Sequence, residues 1–160
     1  MQTATIHELK RELATLDEKK LVDLCLRLSK YKKDNKELLT YLLFEAHDEN
    51  AYIESIKREI DLQFSEMNRS NLYYVKKSLR KTLRMANKFI RYSGIKTTAV
   101  EVLVYFCSEL KNSGIPINKS KVLTNLYRAQ LKKIESNINS LHEDLQYDYR
   151  LELEGLQLNL

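Results

Sequence analysis

Asn71–Tyr92, NLYYVKKSLRKTLRMANKFIRY, is the stretch on which the reading of the chain turns. Wound at 3.6 residues per turn, it sorts its side chains into two opposed arcs. Lys76, Lys77, Arg80, Lys81, Arg84, Lys88 and Arg91 fall inside one arc of about 140°, with Tyr73 among them. Leu72, Val75, Leu79, Leu83, Ala86, Phe89 and Ile90 take the other side, which predicts an amphipathic helix with one core face and one cationic face. Ser70 is placed to cap its start. Gly94 follows its last turn, where a residue tolerant of positive φ is wanted.

The surrounding sequence sharpens that contrast. No acid occurs between Glu66 and Glu101, and nine of the 27 Lys/Arg lie in that window. The rest of the chain sets 18 basic residues against 22 acids, so a mildly acidic body carries one strongly basic element. Such an element suits nucleic-acid phosphate, an anionic membrane or an acidic protein surface, whereas a plain solvated face has the same pattern. Tyr73, Tyr74 and Tyr92 border the cations as stacking residues border a nucleic-acid groove.

The 160 residues include three Gly and one Pro, too few for the turns of a β-rich chain, so long helices with few connections are expected. Helices are predicted over Ile6–Ala14, Asp17–Tyr31 and from Asp34 or Asn35 to about Ala46. Others follow over Asn50–Met67, Asn71–Tyr92 and Ala99–Asn112. Thr5/Glu8, Thr15/Glu18 and Thr98/Glu101 have the spacing of capping boxes. Ile53, Ile56, Ile60, Phe64 and Met67 form one buried line. Leu21, Leu24, Cys25 and Leu28 form another. Ala99–Asn112 is apolar nearly all round and belongs at the centre.

After Pro116, a long C-terminal helix is expected over about residues 119–156. Tyr127, Leu131, Ile134, Ile138, Leu141 and Leu145 follow a heptad seam, the pattern of a coiled coil and a candidate surface for homo-oligomers. Unbroken from Lys119 to Glu154, that helix reaches about 54 Å, against about 40 Å for a compact domain of this size, so it bends near residues 137–140 or projects. The fold expected is a single all-α domain over 1–160. Six or seven helices form an antiparallel bundle or short superhelical array around helix 99–112.

Chemistry-bearing motifs are sparse. Neither E-x-x-H nor H-x-x-x-H occurs, and no glycine-rich phosphate loop or nucleophile elbow is present. Cys25 and Cys107 sit among apolar residues and read as buried small hydrophobes. No metal, cofactor or catalytic residue is therefore expected, although carboxylates brought together by the fold escape a reading of this kind. The apolar run Val102–Cys107 is far too short to span a membrane, and MQTATIHELKREL has no apolar signal region, so a cytoplasmic protein is expected.

The opening hairpin, ELKRELATLDEKKLVDLCLRL, resembles the SAP-type DNA-binding helix–turn–helix through Leu9, Leu13, Leu21, Leu24 and Leu28. That family normally carries a Gly in a longer turn, where this chain has Leu16-Asp17. A generic helical hairpin is therefore expected. Across Leu9–Leu141, YKKDNKELLTYLLFE followed by VEVLVYFCSEL resembles a small uncharacterised family of all-helical bacterial proteins of unknown function. The resemblance implies an all-helical fold and no activity. The function expected is a non-catalytic binding or scaffolding module whose basic face meets an anionic partner, nucleic acid first. The alternative is a self-assembling helical protein that uses the heptad seam and pairs the basic face with its own acidic helices.

Overall fold

The computed structural model describes residues 2–157. Among them are eight α-helices and no strand, as the shortage of Gly and Pro predicts. The chain forms two compact units, Met1–Phe44 and Glu45–Leu160.

The first unit holds α1 (Ile6–Leu13), α2 (Glu18–Tyr31) and α3 (Lys33–Thr40), the last running into a π-helical turn, Tyr41–Glu45. The expected Thr5/Glu8 capping box is present: Thr5 Oγ1 accepts from the Glu8 amide and Glu8 Oε2 accepts from the Thr5 amide. The second box is not formed. Asp17 caps α2 by accepting from the Lys20 amide at 2.9 Å, while Thr15 turns back to the Glu12 carbonyl. α2 and α3 pack on each other, joined by Asn35 Nδ2 donating to the Leu28 carbonyl. Tyr41 is the one buried residue among those described in this unit. The apolar line of α2 differs from expectation: Leu21 is half-buried, and Leu24, Cys25 and Leu28 are exposed.

The second unit holds α4 (Glu49–Ser65), α5 (Leu72–Ser93), α6 (Lys96–Asn112), α7 (Lys121–Ile138) and α8 (Glu143–Leu156), with a 3-10 turn at Ile117–Lys119. α6 is the hub, packing against α4, α5, α7 and α8. Its Val100, Val102, Leu103, Phe106, Cys107 and Leu110 are wholly removed from solvent. Burial of this kind is the main stabilising contribution available to a chain without disulfides, roughly 1.5–3 kcal/mol per large apolar side chain. The predicted line of α4 is buried throughout, from Ile53 to Met67, and the Phe64 ring meets Phe106 edge-on.

Short connections fold successive helices back on one another. Gly94, at φ 69°, stops α5, and its amide bonds the Ile90 carbonyl at 2.9 Å. Thr98 does not cap α6, which already begins at Lys96. Instead Thr98 is buried and donates to Glu49 Oε1, the same oxygen that accepts from Ser93 Oγ. Glu49 thus ties the start of α4 to the α5–α6 corner. Tyr52 Oη donates to the Phe89 carbonyl and continues that contact along α4 and α5.

The long C-terminal helix is two helices, not one. α7 ends at Ile138 and α8 starts at Glu143, with tight turns at Ser140 and Leu141 between them. α8 lies back along α7 and also on α6. The heptad seam is therefore consumed inside the unit. Tyr127, Ile134 and Ile138 are fully buried, Leu131 and Leu141 half-buried, and Leu145 alone is 43% exposed. The spacing that suggested a coiled-coil partner is satisfied by the chain's own neighbouring helices.

Candidate anionic-partner interface

α5 presents the cationic arc. Its cap is Asn71 rather than Ser70: Asn71 Oδ1 accepts from the Tyr73 and Tyr74 amides at 3.0 and 3.1 Å. Val75, Leu79, Thr82, Leu83, Ala86 and Ile90 face inward against α4 and α6. With that face fixed, the helical period turns the basic arc outward. Lys77, Arg80, Lys81, Arg84 and Arg91 are exposed, whereas Lys76 and Lys88 are half-buried. Lys88 lies over the Phe89 ring, 5.3 Å from its centroid.

Among the described residues, none of Lys77, Arg80, Lys81, Arg84 and Arg91 forms an ion pair or a side-chain hydrogen bond. Several acids of α4 are engaged elsewhere: Glu54 with Lys57, Glu59 with Gln63, Asp61 with Tyr105. The five cations run from residue 77 to 91, about 21 Å along the axis. A neighbouring helix adds to the field. Lys133 of α7 donates to Asn87 Oδ1, and its ammonium is held below its ordinary pKa by partial desolvation first and then by Arg91. At the start of the helix Tyr73 is 66% exposed and meets the Tyr74 ring edge-on, 5.4 Å between centroids. Tyr92 is half-buried.

A second constellation escaped the reading of the sequence. Lys57, Glu101, Tyr105, Ser108, Tyr149 and Glu152 line an open cleft of about 440 Å³ between α4, α6 and α8. Lys57 Nζ sits 2.7 Å from Glu54, 4.0 Å from Glu101 and 5.6 Å from the centre of the Tyr105 ring. Tyr105 Oη donates to Asp61 at 2.6 Å, and Tyr149 Oη donates to Glu101 at 3.0 Å. Burial first, then these carboxylates, pushes both phenols upward, Tyr149 to about 12. The phenols, the ammonium and their carboxylate partners satisfy one another, so the cluster braces α4 and α8 against α6. Its trace in the sequence is the polar stripe Glu101, Tyr105, Ser108 on an otherwise apolar helix, at the i, i+4, i+7 spacing of one face.

The remaining reactive side chains are scattered. Cys107 is buried, and burial pushes its thiol up to about 12. Cys25, expected inside, is exposed. His7, His47 and His142 are exposed, the last capping α8 with Nδ1 3.3 Å from Asp144. Among the described residues no three His, Cys, Asp or Glu side chains gather as a metal-holding group, and no helix is long and apolar enough to cross a membrane. No protein-family model matches the chain, and neither a curated protein nor a solved structure matches it.

Proposed function

We propose that the protein is a non-catalytic binding or scaffolding module that engages an anionic partner, nucleic acid first, through the outer face of α5. The observation that carries this reading is the state of five cations: Lys77, Arg80, Lys81, Arg84 and Arg91 are exposed, and none is paired among the described residues. Charges that served only to join helices would lie opposite acids. These repel one another along a rigid helix of 22 residues, a cost that an external anion removes. The roughly 21 Å they span matches the rise of about six base pairs of a duplex. Tyr73 offers a ring beside the arc on which a base can stack.

Binding of this kind is electrostatic and independent of sequence to first order. Five phosphate contacts predict a slope of log K against log salt of about −4.5 on duplex DNA and about −3.5 on a single strand. Fluorescence anisotropy with a labelled duplex and a labelled single-stranded RNA, between about 50 and 200 mM salt, measures both. The quadruple variant Lys77→Glu, Arg80→Glu, Lys81→Glu, Arg84→Glu should abolish binding while its helical circular dichroism is kept. Absence of binding to either probe at low salt, or binding unchanged by the variant, overturns the proposal.

A further inference from the structure

The first unit has almost no interior. Of the 19 large apolar residues exposed among those described, eleven lie in Met1–Phe44. A segment of that size falls where a core alone seldom suffices, and oligomerisation, a metal or a disulfide usually makes up the difference. The unit contains one cysteine and no metal-holding group among its described residues.

Two of its surfaces are apolar and open, one a helix stripe and the other a groove. α1 carries Ile6, Leu9 and Leu13 on one stripe at i, i+3, i+7 spacing, and all three are in solvent, Ile6 at 81% exposure. α2, α3 and the π-helical turn form an open apolar groove of about 330 Å³, lined by Cys25, Leu28, Leu38, Leu39 and Leu42. A helix stripe with such anchors and a groove of such lining are the two halves of helix-in-groove recognition. Within the chain the two halves do not meet, since the stripe is wet and the groove is open.

We infer that two copies of this chain associate through their first units, α1 of each lying in the α2–α3 groove of the other. A twofold arrangement uses every contact twice, as an isologous interface requires. Each side of a standard interface covers ~800 Å², and eleven exposed large apolar side chains of one unit are available to such a contact. Nine basic and seven acidic residues are interspersed over residues 1–44, so no single-sign field opposes a second copy. Single apolar residues in solvent are ordinary on a monomer, whereas a three-residue helix stripe and a leucine-lined groove are the kind of clustered apolar surface that marks a contact.

Sedimentation equilibrium of the full chain should give twice 18.9 kDa at micromolar concentration. Leu9→Glu on the stripe and Leu28→Glu in the groove should each weaken the dimer by at least about tenfold, because either places a carboxylate in the contact. Circular dichroism checks that both variants keep their helices. A second measurement does not depend on charge. The variant Leu9→Cys is oxidised in dilute solution by dissolved oxygen with a copper–phenanthroline catalyst, the oxygen taking up the two electrons and two protons. It should form a disulfide from the new thiol to Cys25 of the other copy and run as a covalent dimer. A monomer at every concentration overturns the inference. So does a disulfide between the new thiol and Cys25 of the same chain, which would mean that α1 closes its own groove. A dimer untouched by both glutamate variants, and so formed elsewhere, also overturns it.

Discussion

Tyr127 Oη donates to the main-chain carbonyl of Leu156 across 2.7 Å, joining α7 to the end of α8 over 29 residues of sequence. Tyr127 is wholly buried, and burial, with Cys107 beside it, keeps its phenol protonated far above the ordinary range. The bond fixes where the last helix comes to rest. Tyr127→Phe keeps the ring and removes the donor, leaving the carbonyl without its partner. A loss of about 1–3 kcal/mol is expected in urea unfolding, with the dissociation constant for nucleic acid unchanged.

The fate of the heptad seam predicts a contrast within one pattern. Ile138→Ala should cost about 2–5 kcal/mol, because Ile138 is fully enclosed and its removal leaves a cavity. Leu145→Ala, on the same seam but 43% exposed, should cost no more than about 1 kcal/mol. Neither should change the sedimentation mass. Equal costs at both positions would contradict the fold-back of α8.

Glycine to alanine should change sign between two positions. Gly94 has φ 69° and Gly155 lies in α8 with an ordinary helical backbone; neither has an atom within 4 Å of an added Cβ. Only backbone preference differs. Gly94→Ala should destabilise by about 1–2 kcal/mol. Gly155→Ala should stabilise by about 0.5–1 kcal/mol, as alanine does inside a helix. Thermal unfolding of the two variants side by side checks this.

The phenols of the brace predict an alkaline limit. An unfolded tyrosine loses its proton near pH 10, whereas folded Tyr149 holds its own to about 12. Between those values the unfolded chain releases a proton that the folded one keeps. The contribution is therefore complete below pH 10 and is lost as pH rises toward 12. Tyr105 and Tyr127 are shifted in the same direction and add to the loss. The urea midpoint should fall steeply above about pH 10, and Tyr149→Phe should make that fall shallower.

What was legible beforehand depended on range along the chain. The buried line Ile53–Met67 and both arcs of α5 follow from helical period alone, and a period is a local property. The caps at Ser70 and Thr98 misled because several polar residues compete near each helix start. Asn71 wins the first contest, and Glu49, 49 residues earlier in sequence, claims the hydroxyl of Thr98. The break after Ile138 lacks Pro or Gly, so only the polar Asn139-Ser140 marked it. Heptad spacing reports that a face is covered and not whether the cover comes from the same chain. The cleft around Lys57 needs three helices whose side chains meet only after folding. In the first unit the apolar spacing of α2 is clear, but nothing local reveals that Leu24, Cys25 and Leu28 stay wet.

The central position of α6 also orders events in time. α4 and α5 leave the ribosome before α6, with Ile53–Phe64 and Val75–Ile90 ready to be buried. Until Leu110 has emerged, those two lines have only each other for cover, and the main surface they require is still being synthesised. The nascent chain therefore passes through a stage of exposed apolar helices, the condition in which chaperones engage and aggregation begins. That stage ends when a single segment, Lys96–Asn112, becomes available to both.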